Sequence, residues 1–321
     1  MELAPLQLLL DVLPDRKLSF ASLRARLLVP TLASPENICA EDAQSRAGLS
    51  SESEASGPSE ASAVGFSEAG FNEAGFSKAH AYGQELSLAL DNLETFSADA
   101  NFGLLLVSAS DFSLADLLRC TCLSVSEQHE YAQFVDCREL LAIYQREEQK
   151  EKRERFLASI AQHFKRLSLL ALHRVDCMIG DLALETFLFE LYNARAAAHQ
   201  SYGRISELKE NSQETQRAAK LLISLASPLT KLPFKLEDLR SRLQALTRFG
   251  VPSPGEDALV NIFIAMAKEE GMEFDEELAR YVIFRIDRRL DSIREFLNRL
   301  DLLQRRERRA LTLPLVRKAL S

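Results

Sequence analysis

The sequence predicts an α/β chain, a parallel-sheet base covered by helices and followed by a small all-helical domain. Two patterns carry that prediction. Between 103 and 226 short apolar runs alternate with stretches of helical period, the pattern of strands buried on both faces and joined by crossover helices. From Pro254 onward the strand signals stop. A length of 321 residues with 46% hydrophobic composition also allows a sizeable core in one large or two moderate domains.

Residues 1–33 form an N-terminal segment whose apolar run, Leu8 to Leu10, is cut by Asp11 and lacks a basic start. No stretch reaches the roughly 18 apolar residues that span a bilayer, so a cytoplasmic protein without membrane contact is expected. From Ser34 to Ala100 twelve acidic residues stand against two basic ones, with much Ser, Ala and Gly. Such a composition lacks the apolar surface to offset its ordering entropy, and 34–85 is read as a flexible acidic insert. Inside it Gly65-Phe66-Ser67-Glu68-Ala69 is repeated in altered form at 70–74 and 75–79, far shorter than a solenoid unit. Spaced phenylalanines as docking points remain the alternative.

The base is read as 86–247. Gly103 to Val107 is its first strand, with a helical stretch at 114–122. Gln133 to Val135 is the second, and a helix from 138 runs into the charged stretch 146–155, a solvated face. Strands at 167–172 and 221–226 flank a helix at 184–198, with 200–216 as a polar loop. The lid is read as 248–321, with helices at 256–270, 275–286, 289–302 and 313–320, Gly271 as a stop and Asp275 as an N-cap.

Composition narrows the function. A formal net charge of −8 argues against indiscriminate nucleic-acid binding. Five cysteines, Cys39, Cys120, Cys122, Cys137 and Cys177, make an odd count without CxxC or metal-ligand spacing, so reduced thiols and no metal are expected.

Specific residues then carry a resemblance. Leu236-Glu237-Asp238-Leu239-Arg240-Ser241-Arg242-Leu243 is similar to the box that closes the base domain in the DnaA and Hda group of AAA+ proteins. Downstream, Gly271-Met272-Glu273-Phe274, Arg285-Ile286-Asp287-Arg288, Leu297-Asn298-Arg299-Leu300-Asp301 and 311–316 follow the Hda lid in order. Upstream, 167–172 with 175–181 resembles the Walker B strand and turn, and Gln7-Leu8-Leu9-Leu10-Asp11-Val12 resembles the Hda peptide that docks on the sliding clamp, with Asp11 where proline is usual.

The resemblance also locates what is missing. A phosphate loop needs glycines, a lysine and a metal-holding hydroxyl. None of the twelve glycines is followed by lysine; where the loop belongs stands Ser108 to Ala115, with Leu114 for the lysine, Ala115 for the hydroxyl and Asp111 beside where phosphates would lie. Gly75 to His80, the alternative place to seek a relic of that loop, has no apolar strand before it and the composition of the insert, and is set aside. The Walker B carboxylates correspond to His173 and Arg174, and the lid's sensor arginine to Asp291, with Arg288, Arg289 or Arg294 as substitutes. The chain is therefore expected to hydrolyse no ATP and to hold no cofactor, with residual ADP binding left open.

By the same resemblance Arg242 is the arginine offered in trans to a partner's nucleotide, and Gln7, Leu8 and Leu10 are the clamp-binding residues. The implied partners are DnaA and the polymerase III sliding clamp, with DNA reached through the clamp and a homo-oligomer left open. The implied role is negative regulation of replication initiation. The alternative for Arg242 is a surface ion pair, with Arg240, to Glu237 or Asp238; for Gln7, Leu8 and Leu10 it is a chance apolar stretch or a first strand packing inward. The arginines at 285, 288, 289, 294 and 299 and the run 305–309 meet DNA phosphates or form a solvated face. His173 is read as a hydrogen-bonded structural group. A scaffold acting by occupancy alone and an ATPase with an unorthodox site are the competing functions.

Overall fold

The computed structural model describes residues 18–28, 73–98, 101–108, 110–127, 131–208, 219–307 and 311–320. Gln7, Leu8, Leu10 and most of 34–85 lie outside the described residues.

Five strands make one parallel sheet: β1 (Gly103–Val107), β2 (Ala132–Asp136), β3 (Leu169–His173), β4 (Lys220–Leu225) and β5 (Thr247–Gly250), in the order β2-β3-β4-β1-β5. Each hydrogen-bonded pair runs parallel. Side chains alternate between the two faces, as a period of two requires. Leu104, Leu106, Phe134, Leu169, Ala171 and Leu222 enter one core. Leu105, Val135, Leu170, Leu172, Leu221 and Ile223 enter the other. The sequence reading foresaw four of these strands. β5 is four residues long, lies at the sheet edge and is mostly exposed, so it carries no apolar run to announce it.

Among the described residues eleven α-helices surround the sheet and extend beyond it. α1 (Phe20–Leu27), α2 (Glu73–Ala98) and α3 (Leu114–Glu127) cover one face. α4 (Cys137–Arg146), α5 (Lys150–Phe164), α6 (Leu182–Leu208) and α7 (Glu237–Gln244) cover the other. The lid follows as α8 (Glu256–Glu269), α9 (Glu276–Ile283), α10 (Leu290–Glu307) and α11 (Leu313–Leu320). Asp275 caps α9, accepting from the Leu278 N–H at 2.7 Å. Gly271 ends α8 with φ +76°, a conformation that glycine adopts without steric cost, and Met272 N–H bonds back to Ala267 O at 2.9 Å. Both agree with the sequence reading.

Three expectations need correction. The insert assigned to 34–85 ends earlier, because α2 starts at Glu73; Tyr82, Leu86, Ala89, Leu90, Leu93 and Phe96 are buried at helical spacing. Averaging composition over the whole acidic segment hid this apolar stripe. The base correspondingly starts before residue 86, and α1, within the segment read as 1–33, joins its core through Leu23 and Leu27. The helix expected from 138 through the charged stretch is two helices, broken at 147–149. The polar loop expected at 200–216 is helical to Leu208.

The first core does not stop at the base. Leu117 and Leu118 of α3 belong to the same cluster as Leu259 and Phe263 of α8 and Ile293, Phe296 and Leu297 of α10. Base and lid therefore bury one continuous apolar mass.

Candidate functional site

Two places on this frame hold the residues singled out by sequence. The first is the C-terminal end of the sheet, where loops after β1, β3 and β4 converge, the usual ligand-binding edge of an open parallel sheet. Asp111 follows β1 and His173 ends β3; Ser224 lies near the end of β4. His173 and Ser224 have no solvent exposure. His173 Nδ1 lies 2.8 Å from Ser224 Oγ, which also accepts the Arg174 N–H at 3.1 Å. His173 Nε2 faces Asp111 Oδ1 at 3.0 Å, an ion-pair distance reached at an angle short of a full hydrogen bond.

Serine, histidine and carboxylate in this order suggest a nucleophilic relay, but Ser224 is sealed and no substrate carbon reaches its hydroxyl. The histidine is structural, in agreement with the sequence reading.

Two guanidinia complete this pole. Arg138 donates to Asp111 at 2.9 Å and to Asp136 at 2.6 Å; Arg174 pairs with Asp176 at 3.0 Å and stands 3.6 Å from Asp111. Asp176 also accepts the Ala226 N–H at 3.0 Å. Arg174 has φ +59°, the left-handed region, and is the one non-glycine residue there among the described residues. That local cost is held in place by the surrounding hydrogen bonds. Burial works to raise the Asp111 pKa, but His173, Arg138 and Arg174 outweigh it and lower it to about 2. Asp136 is lowered too, against its own burial, by the Arg138 hydrogen bonds.

A nucleotide does not fit these residues in the AAA+ manner. Phosphates need converging N–H donors and a free cation. Here an ionised carboxylate stands in the loop after β1, and both neighbouring guanidinia are neutralised by Asp111, Asp136 and Asp176. Leu114 and Ala115, where the resemblance sets the lysine and the hydroxyl, are buried in the core. In the lid, Asp291 is paired with Arg119, Arg289 and Arg294, and Arg288 with Glu256, so none of the three substitute arginines is free of an acidic neighbour.

The second place is α7. Leu239 and Leu243, one turn apart, are buried against Leu172, Leu188, Leu191, Tyr192, Leu221 and Ile223, around an apolar void of about 10 Å³. Glu237 and Asp238 lie in the first turn and Arg242 in the last, each sign on the helix end whose dipole favours it. Leu236 at the N-cap offers no side-chain acceptor. Glu185 of α6, fully buried, supplies it: its carboxylate accepts from Leu236 N–H at 2.6 Å, Lys235 N–H at 2.9 Å and Gly180 N–H at 2.7 Å. Nothing in the local sequence of α7 announces this cap, because its acceptor lies fifty residues away.

Arg242 itself is exposed, and among the described residues no ion pair holds it. Its charge is felt at Tyr192, whose pKa burial raises and Arg242 partly restores. The surface-pair alternative holds for Arg240, 3.5 Å from Glu237, and not for Arg242.

The remaining lid arginines are largely engaged. Arg299 donates to Ala319 O at 3.0 Å, Arg285 to Tyr281 O at 2.9 Å, and Arg305 pairs with Asp301 at 2.9 Å. That favours the solvated-face reading over a phosphate-binding stripe. Among the described residues no helix is long and apolar enough to cross a membrane, and no three His, Cys, Asp or Glu converge as metal ligands.

Comparison with known proteins adds two findings. Residues 256–320 match the family model described as the Hda lid domain. The structure is similar to domain III of the replication initiation protein DnaA from Thermotoga maritima, at 18% identity and a TM-score of 0.55, over 74% of this chain and 91% of that one. It is also similar to a replication initiator DnaA solved with AMPPCP and single-stranded DNA, at 13% identity and a TM-score of 0.50, over 70% of this chain and 66% of that one.

Proposed function

We propose that this chain, an AAA+-fold protein related to Hda and DnaA, is a negative regulator of replication initiation that promotes hydrolysis of DnaA-bound ATP without hydrolysing ATP itself. The observation that carries the reading is Arg242, exposed and, among the described residues, free of ion pairing on a helix whose N-terminus a buried carboxylate pins. A guanidinium offered to the developing charge of a γ-phosphoryl accelerates its transfer by roughly 10³ to 10⁵ and needs no nucleotide on its own chain. The cis machinery can therefore be lost while the trans contribution persists.

Gln7, Leu8 and Leu10 are assigned to the sliding clamp on the family resemblance alone: two leucines for an apolar pocket, an amide for its polar rim. Joining a clamp tether to a DnaA-facing surface raises the local concentration of each for the other, so modest affinities suffice. The test is turnover of DnaA-bound ATP with clamp loaded on DNA, with and without the purified chain. Stimulation that Arg242→Ala abolishes is the expected result; unchanged turnover on adding the wild-type chain rejects the reading.

A second reading, a scaffold acting by occupancy, is favoured by the paired charges where nucleotide would bind. It requires that Gln7→Ala release the clamp and that Arg242→Ala keep the full effect.

A further inference from the structure

Base and lid meet through charges as well as through their common core. Asp291, in the first turn of α10, pairs with Arg119 of α3 at 3.1 Å and with Arg294 one turn along at 2.8 Å. Arg294 crosses to Asp116 of α3 at 3.4 Å, and Asp116 lies 3.9 Å from Arg119. The four groups form a square of alternating sign, two corners from each layer. Its acids are well shielded, with 3% of the Asp116 and 24% of the Asp291 side chain exposed, so solvent screens it less than a surface pair.

Two links tie the square to the sealed pole of the sheet. The Arg119 guanidinium lies 4.7 Å over the Phe134 ring, and Phe134 stacks on His173 at 5.8 Å. Leu290 N–H, at the start of α10, donates to Phe112 O, in the loop that carries Asp111, at 3.1 Å. On the far side α1 bridges both layers: Arg24 pairs with Asp91 and Glu94 of α2, and Arg26 with Glu269 of α8 at 2.8 Å.

We infer that this charge square takes the place of a bound nucleotide as the tie between base and lid, so that the chain alone sets the lid's orientation and neither ATP nor ADP alters it. A ligand shifts a conformational equilibrium only by its differential affinity for the two states. Here the sensor position itself is the acid Asp291, which neutralises the arginines beside it, and the loop after β1 presents Asp111 to any incoming phosphate. The inference stands on that misfit; it rests on the proposed regulatory reading only for its consequence, that the Arg242 surface is offered whether or not the chain meets nucleotide.

Hydrogen exchange of the full chain, read by mass spectrometry over 108–127 and 290–307, tests it. Wild type should show the same exchange without nucleotide, with Mg-ATP and with Mg-ADP. Asp291→Asn and Arg119→Gln should each speed exchange at the start of α10 by about 10-fold, and the double variant should add little, because either single change already opens the square. Leu300→Ala, which loosens α10 through packing alone, should add its effect to that of Asp291→Asn and so separates the square from general loosening. Protection of 108–115 or 290–297 by either nucleotide in wild type overturns the inference, as does full additivity of the Asp291 and Arg119 changes. Partner-ATP turnover is a separate readout. Stimulation that survives Arg242→Ala removes the trans-arginine reading and leaves the square standing, whereas nucleotide protection removes the square and leaves the trans-arginine reading.

Discussion

The arginines at the end of the sheet and the arginine on α7 are the same residue type in opposite circumstances. Arg138 and Arg174 are enclosed by Asp111, Asp136 and Asp176, whereas Arg242 is exposed and, among the described residues, pairs with no acid. A guanidinium whose charge carboxylates already balance offers a phosphate little net attraction; one held in water on a helix keeps its full donor fork. The contrast teaches that the same side chain is spent on structure where acids surround it and stays available to a partner where, among the described residues, none does.

The largest effect expected is at Arg242. Arg242→Ala should lower stimulated DnaA-ATP turnover by about 10² to 10³-fold, while its melting behaviour stays within about 0.5 kcal/mol of wild type, as for a surface change. Arg242→Lys keeps the charge but not the fork, and turnover should stay well below wild type. Full turnover with lysine would show that charge alone suffices and blunt the comparison.

Next comes the packing that holds the two regions in one frame. Ile293→Ala, at a side chain fully buried in the core shared by base and lid, should cost about 2–5 kcal/mol in denaturant unfolding. Independent melting of lid and base in the wild type would contradict the common core.

Glu185→Ala leaves the Leu236, Lys235 and Gly180 N–H groups without their acceptor, a loss of about 1–3 kcal/mol. Turnover measured well below the melting temperature should also fall, because α7 loses its anchor, and Glu185→Gln should recover part of it. Equal activity of Glu185→Ala and wild type at that temperature would mean that the cap stabilises the fold without orienting Arg242.

The smallest effect is at the sealed pole. Asp111 is lowered to about 2. A carboxylate with a depressed folded pKa stabilises the protein above its ordinary value near 4 and loses that contribution as pH falls through the lowered one. Asp291, lowered by Arg119 and Arg294 against its burial, acts in the same direction. Asp116 opposes them: burial raises it, so its charge costs stability near neutrality, and protonation removes that cost. Asp111→Asn should therefore cost about 1–2 kcal/mol at pH 7 and flatten the decline between about pH 4 and pH 2. The same slope in variant and wild type would show that Asp111 is not held by its cations.

Much of this was legible in the chain. Buried strands at 103–107 and 169–173, the lid helices, the Gly271 stop and the Asp275 cap all follow from local pattern. The residues that the resemblance sets at motif positions, Leu114, Ala115, His173, Arg174 and Asp291, were visible too. The edge strand β5 was not, because four mostly exposed residues carry no periodic signal. Nor was α1, whose eight residues gain their stability from contacts with α2, α3 and α8.

Local sequence was enough to set most of the strands and helices and to put Asp111, Leu114 and Ala115 in the loop and helix after β1, because period, caps and residue type act over one or two turns. Tertiary structure alone decided which charges meet. Asp111 finds His173 and Arg138, Asp291 finds Arg119, and Glu185 finds the start of α7 across separations of 27 to 172 residues, while Arg242 pairs with no acid among the described residues. Electrostatic pairing depends on distance and shielding in three dimensions, and no local pattern encodes either.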